Sequence, residues 1–286
     1  MKFTQKPIAA GLHLVSTPIG AARDITLRAL DILAGADILA AEDTRTARKL
    51  MEIHGVSLNG RRIIAYHDHS GPGDRARILD PLGDGKSAAY ISEAGTPLVA
   101  DPGYALAREA ISRGIDVLSA PGASAVLAAL AVAGLPTDRF AFIGFLPPGK
   151  TQRETELAEL RQLQMTSVYY ESPKRVGDLL TSMSQIFGEE RQATVCRELT
   201  KKFEETRRAS LSELATEFAD KRVRGEIVVV VGGAPETQDD DLDIETALAE
   251  AMKTMRIKDA ATAVAGARGL PRRMVYQAAL EMQKNQ

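Results

Sequence analysis

Ser92-Glu93-Ala94-Gly95-Thr96-Pro97-Leu98-Val99-Ala100-Asp101-Pro102-Gly103-Tyr104 lies between a short apolar run, Ala88-Ala89-Tyr90-Ile91, and a segment of helical character, Ala105 to Ser112. The apolar run reads as a buried strand. Two glycines and two prolines therefore stand at the carboxyl end of a strand. Ligands of open α/β sheets bind at that end, where the loops leave a crevice. Glycine lets a ligand come close to the backbone, and proline holds the loop in one shape. Glu93, Thr96 and Asp101 set oxygen acceptors along it. The stretch is a candidate site, and the fold it implies is α/β.

The same alternation extends in both directions. Leu12 to Ser16 reads as a strand, followed by the loop Thr17-Pro18-Ile19-Gly20. A helix is expected from Asp24, with Ile25, Leu27, Leu30, Ile32 and Leu33 as its apolar face. Ile38 to Ala41, Arg62 to Tyr66, Ser87 to Ser92 and Ile115 to Ser119 supply further strands. Strands alternating with helices imply parallel pairing under helical layers. A helix at Ala123 to Ala133 follows the turn Pro121-Gly122, and Gly134-Leu135-Pro136-Thr137-Asp138 is the expected hinge. Beyond it, strands are expected at Ala141–Phe145, Thr166–Tyr170, Ala193–Arg197 and Glu226–Val231. Helices are expected at Arg153–Leu163, Val176–Phe187 and Leu211–Phe218, so a second α/β domain follows the first. Ile244 to Gln283 reads as three short helices, with Gly269 ending the middle one and Pro271 opening the last.

Composition narrows the class. The 286 residues, 44% hydrophobic and 26% charged, suit a soluble protein of about two domains. No apolar run approaches the roughly 20 residues of a bilayer span, and the first residues lack a signal-peptide core. Cys196 is the only cysteine, which excludes an internal disulfide and points to the cytoplasm. The net charge of −2 conceals an asymmetry. Residues 236–250 carry seven acidic side chains and no basic one, whereas residues 253–286 carry seven Lys or Arg against two acids. An acidic linker before a basic module able to meet a polyanion is one reading, and a solvated surface is the other.

Other motifs are decided by what they lack. The first strand-to-helix loop holds a single glycine, Gly20, and Pro18 removes a donor, so it is not a dinucleotide fingerprint. No phosphate-binding GxxxxGK[ST] occurs. His67 and His69 stand two apart without further partners in view, and no metal is expected. Cys196, in the apolar run Ala193-Thr194-Val195-Cys196, reads as a buried thiol. Arg197-Glu198-Leu199-Thr200-Lys201-Lys202 would suit a phosphate-bearing partner or form a solvated hairpin. Glu42-Asp43-Thr44-Arg45 and Glu171-Ser172-Pro173-Lys174-Arg175 again put acids and bases at strand ends.

Together the segments Thr17–Gly20, Ala41–Arg45, Ser92–Tyr104, Pro121–Ala125, Gly134–Phe140, Tyr170–Pro173 and Arg197–Lys201 resemble, in order, the bacterial 16S ribosomal RNA cytidine 2′-O-methyltransferases of the tetrapyrrole-methylase superfamily. One departure is Glu93, where that family commonly has Asp, so the carboxylate reaches one methylene further. The resemblance implies two tetrapyrrole-methylase α/β domains, at 1–122 and 123–236, with S-adenosylmethionine bound between them. A helix-turn-helix-like module at 237–286 and a homodimer complete the expectation. It assigns the cofactor to Pro18, Ile19, Glu93, Thr96, Val99, Ser124, Ala125, Tyr170, Cys196, Glu226 and Ile227. The implied substrate is a ribose 2′-hydroxyl of 16S rRNA in the small subunit.

A 2′-hydroxyl is a weak acid, so a general base would add about 10²–10⁴-fold to the rate. Glu171, Asp101, Glu42 and His67 are the candidates, Glu171 foremost. Arg45, Lys174, Arg175, Arg197, Lys201 and Lys202 would rim the cleft toward RNA, and Lys258, Arg272 and Arg273 would grip neighbouring rRNA. A tetrapyrrole methyltransferase and a non-catalytic rRNA-binding assembly factor are the alternatives.

Overall fold

The structure is a computed structural model describing residues 3, 4, 6–219, 221, 223–235, 239–268 and 271–284; of 239–243, 268 and 284 only the backbone is described. The chain forms two compact units, residues 1–233 and 234–286.

The first unit holds two five-stranded sheets. Strands β1 (Gly11–Val15), β2 (Ile38–Ala41), β3 (Ile63–Ala65), β4 (Ser87–Ile91) and β5 (Val117–Ala120) pair in parallel in the order β3-β2-β4-β1-β5. Helices α1 (Leu27–Gly35), α2 (Thr44–Ile53), α3 (Pro72–Gly83) and α4 (Tyr104–Ser112) connect them. Apolar residues fill both faces, as a parallel sheet requires: Val15, Leu33, Leu39 and Met51 on one side, Leu12, Ile78, Leu79 and Leu106 on the other. Helix α1 starts at Leu27 rather than Asp24, because the Thr26 hydroxyl accepts the Ala29 amide and takes the capping position. Since β4 inserts between β1 and β2, the loops leaving β1 and β4 are neighbours.

The second sheet is mixed. Strands β6 (Phe140–Phe145), β7 (Thr166–Glu171), β8 (Gln192–Arg197), β9 (Glu205–Ser210) and β10 (Ile227–Val231) run in the order β6-β7-β10-β8-β9, and only β6 and β7 pair in parallel. Helix α5 (Ala125–Ala133) packs on one face, joining Val126, Ala129 and Leu130 to Val168, Cys196, Val228 and Val230. Helices α6 (Lys150–Leu160), α7 (Val176–Phe187) and α8 (Leu211–Phe218) cover the other, over Tyr169, Val195, Ile227 and Val229. Strand β9 is not among the strands that the apolar runs predict. Its Glu-Thr-Arg-Arg-Ala-Ser composition is that of a sheet edge, where charge blocks further pairing.

The second unit consists of α9 (Asp239–Met252), α10 (Ile257–Arg268) and α11 (Arg272–Lys284) around Ile244, Leu248, Ala261, Val264, Val275 and Ala279. Pro271 immediately precedes α11, whereas Gly269 and the start of the acidic run at Glu236 lie outside the described residues. Among the described residues no helix is long and apolar enough to cross a membrane.

Candidate active site

Three loops meet where β1, β4 and β5 end. Thr17 and Gly95 exchange backbone hydrogen bonds at 2.9 and 3.1 Å, a one-rung antiparallel bridge between the β1 and β4 loops. Thr96 Oγ1 donates to the Ala123 carbonyl at 3.1 Å, binding the β4 loop to the turn after β5. A Cβ on Gly122 would sit 2.8 Å from Ser16 Cβ, so that turn rests directly on the end of β1. Within the β4 loop Leu98 and Ala100 adopt left-handed conformations, φ 69° and 56°. Residues with a Cβ hold such angles only when their surroundings impose them, and such strain gathers at functional sites.

The loops enclose a cleft of about 290 Å³, open to solvent, lined by Ile19, Ala94, Gly95, Thr96, Val99, Asp101, Ser124, Ala125 and Tyr170. Tyr170 comes from the second sheet, with its ring edge-on to Phe142 and Phe145 at 4.9 and 5.5 Å. Burial and the charge of Asp101 push its hydroxyl up to about 12, against the opposing amide of Val126 at the start of α5.

The cleft is acidic. Asp101 Oδ2 and Glu42 Oε2 are buried without hydrogen-bond partners. Burial foremost, then the charges of Glu42, Glu93 and Asp68, push the Asp101 carboxyl up to about 7. Burial and the charge of Glu93 raise Glu42 as well. Glu93 is itself exposed, at the mouth of the loop. Behind the loop, Gly103 (φ 115°) lies so close to Tyr90 that a Cβ would come within 2.7 Å of its ring, which presses the loop onto the sheet.

Other expected residues fall elsewhere. Pro18 borders Ile19 on the β1 loop. Glu226 is exposed and accepts from Lys201 Nζ at 2.7 Å. The Ile227 side chain packs under α7 and α8, on the face of the sheet opposite α5, so the cleft receives none of it. Cys196 is fully buried beneath α5, and burial pushes its thiol up to about 11. Glu171 is 3% exposed with both oxygens engaged: Ser172 N–H donates to Oε1 at 2.7 Å and Arg175 to Oε2 at 2.9 Å. His67 is exposed in the loop after β3, its ring 6.0 Å from His69. Among the described residues no cluster of three or more His, Cys, Asp or Glu is placed to hold a metal.

The expected RNA contacts divide in two. Arg175 also donates to the Leu146 carbonyl, Arg197 pairs with Glu205, and Lys201 bridges Glu198 and Glu226. These half-buried cations are engaged by carboxylates of the same chain. Arg45 is 91% exposed beside its own cap, Asp43, while Lys174 and Lys202 are exposed on their loops. In the second unit Lys258, Arg272 and Arg273 are exposed. Gly95 is one of the two glycines that mark the Ser92–Tyr104 loop, whereas Ala94 and Phe145 carry no signal of their own in the sequence.

The lining fits S-adenosylmethionine chemically. An orphaned carboxylate can balance positive charge, the small residues Ala94, Gly95 and Ala125 leave room, and Tyr170 supplies an aromatic face. Residues 11–215 match the family described as Tetrapyrrole (Corrin/Porphyrin) Methylases, and residues 238–283 match the RsmI C-terminal HTH domain. Fold and cleft thus define a methyltransferase of the tetrapyrrole-methylase class. A solved "Uroporphyrin-III C-methyl transferase from Thermus thermophilus complexed with S-adenyl homocysteine" shares the fold, with a TM-score of 0.55 and 18% identity over 78% of this chain and 97% of that one. The chain is 45% identical over 278 residues to "Ribosomal RNA small subunit methyltransferase I" of Mesorhizobium japonicum, spanning 97% of this chain and 94% of the relative. The protein of the same name from Halalkalibacterium halodurans is 38% identical over 281 residues, 96% of each chain. The chain belongs to the ribosomal RNA small subunit methyltransferase I family.

Proposed function

We propose that the chain transfers the methyl group of S-adenosylmethionine to the ribose 2′-hydroxyl of a cytidine in the decoding centre of 16S rRNA, with the small ribosomal subunit as its partner and a homodimer as its working form. The observation that carries the chemistry is the half-buried Asp101 carboxyl, whose Oδ2 has no hydrogen-bond partner, on the strained loop lining the cleft. The relatives' shared name, across nearly the whole of this chain, supports the substrate.

The cofactor supplies a methyl group on a positively charged sulfur. Ile19, Thr96, Val99, Ser124 and Ala125 would hold it, and Asp101 with Glu42 would favour its positive charge. Holding donor and acceptor in line is worth up to roughly 7–11 kcal/mol of barrier. Asp101, rather than Glu171, is the base in this reading. Its carboxyl titrates near 7, where a base best combines availability with strength, whereas Glu171 is held in an ion pair. Lys174, Lys202 and Arg45 would meet phosphates at the rim, and Lys258, Arg272 and Arg273 would do so on the helical unit.

Labelled S-adenosylmethionine offered with small subunits, naked rRNA and a tetrapyrrole tests the reading. Label mapped to a cytidine 2′-oxygen is the expected result. Label on a tetrapyrrole, or transfer to none of the three, overturns it.

A further inference from the structure

Beside the cleft, an aromatic ring is displayed at the cost of its own burial. Strand β6 pairs with β7 as Phe142 with Val168, then Gly144 with Tyr169 and Phe145 with Tyr170, so Ile143 is an extra residue. Gly144 carries the bend at φ 80°, a left-handed angle that glycine takes without strain. In a regular strand Phe142 and Phe145 would face opposite sides of the sheet, because side chains alternate. The bulge puts both on the side of Tyr170, where their rings meet it edge-on. Bulges near active sites serve to re-aim a side chain in this way. Phe145 nevertheless remains 60% exposed, whereas Tyr170 reaches down to line the cleft.

The chain around this ring carries cation as well. Parallel β6 and β7 send their exit loops to one edge, where Arg175 Nη2 donates to the Leu146 carbonyl at 2.8 Å and joins them. That bond fixes the loop bearing exposed Lys174, which forms no ion pair among the described residues. An exposed aromatic face, an adjoining cation and a cleft for the transferable group form a combination suited to an unstacked nucleotide. Single-stranded bases are gripped by stacking on aromatic rings while lysine or arginine holds the phosphate.

We propose that Phe145, re-aimed by the bulge at Gly144, is the stacking platform for a nucleobase of the RNA substrate, with Lys174 beside it for the phosphate. This subsite rests on the RNA reading above. It orients the nucleotide, and Asp101 acts on its ribose.

The test measures methyl transfer from labelled S-adenosylmethionine to small ribosomal subunits lacking the mark, using the full-length chain. Phe145→Ala should raise KM for subunits about 10- to 100-fold, in keeping with the loss of one stacked base, and leave kcat and cofactor affinity within about twofold. Phe145→Tyr should restore KM, and Phe145→Leu, apolar but without a flat face, should not. Unchanged KM in Phe145→Ala overturns the subsite. So does an equal fall in cofactor affinity, which would place the ring on the cofactor, or a shift to a smaller particle in light scattering, which would make it a subunit contact. Wild-type protein that labels no subunit removes the RNA reading itself, and the subsite with it.

Discussion

Two strained loops meet the β1 loop, and they treat charge in opposite ways. In the Ser92–Gly103 loop, left-handed Leu98 and Ala100 accompany carboxylates each with a buried oxygen that has no partner, Oδ2 of Asp101 on the loop and Oε2 of Glu42, which otherwise accepts from the Glu93 backbone. In the Arg197–Glu204 loop, Glu198 and Thr200 are equally left-handed, φ 53° and 63°, yet the charges other than exposed Lys202 are engaged. Glu198 accepts from Lys201 Nζ and from the Glu226 amide, Arg197 pairs with Glu205, and Glu204 accepts from the Thr200 amide. Lys201 holds the Glu198 carboxyl below its ordinary range, while burial lifts Asp101 far above its own. The Thr200 hydroxyl accepts the Ala21 amide at 3.0 Å, and a Cβ on Gly20 would meet it at 2.6 Å. Strain with satisfied charges fastens the second sheet to the β1 loop. Strain with orphaned charges waits for a ligand.

The comparison breaks most visibly at Asp101. Asp101→Asn should lower the rate of methyl transfer about 100-fold or more while leaving the fold intact. Its stability should respond in the opposite sense. A carboxyl raised from 3.8 to about 7 contributes stability that is fully present below pH 3.8 and lost as pH climbs to about 7. The melting temperature of Asp101→Asn minus that of wild type should therefore grow between pH 4 and 7 and stay level above, as calorimetry across that range would read. A flat difference would mean that Asp101 has a partner after all.

The other loop should show the reverse. Glu198→Ala should cost about 1–2 kcal/mol in denaturant unfolding, since it leaves the Glu226 amide and part of Lys201 unsatisfied, with turnover changed only a few-fold. A hundredfold loss of turnover with unchanged stability would make this loop catalytic and erase the contrast. The smallest effect concerns strain alone. Ala100→Gly relieves a left-handed alanine and should gain about 0.5–1 kcal/mol, offset by the freedom glycine adds to the unfolded chain. A loss of stability would show that Ala100 packs more than it strains.

Much of this was legible beforehand. The strands of the first sheet, the Ser92–Tyr104 loop and the turn at Pro121 are written in apolar runs broken by Gly and Pro, which are local signals. What escaped depends on how side chains pair once the chain is folded. Arg175, Arg197 and Lys201 look like free cations until Glu171, Glu205 and Glu226 are brought beside them. Strand β9 hides because its exposed edge needs no apolar alternation, and Phe145 because one extra residue in β6 reverses the face on which it falls. Glu171 drew notice as an acid at a strand end, but four residues later the chain supplies the arginine that neutralises it.

Asp101, with its Oδ2 unpartnered in the cleft, is poised to take a proton there. The pH dependence of kcat/KM for methyl transfer to small subunits, in wild type and Asp101→Asn, tests it most directly. The wild-type rate should rise with pH through about 7 and then level, and the variant should be about 100-fold slower without that inflection. A variant that keeps both the wild-type rate and its inflection would contradict it.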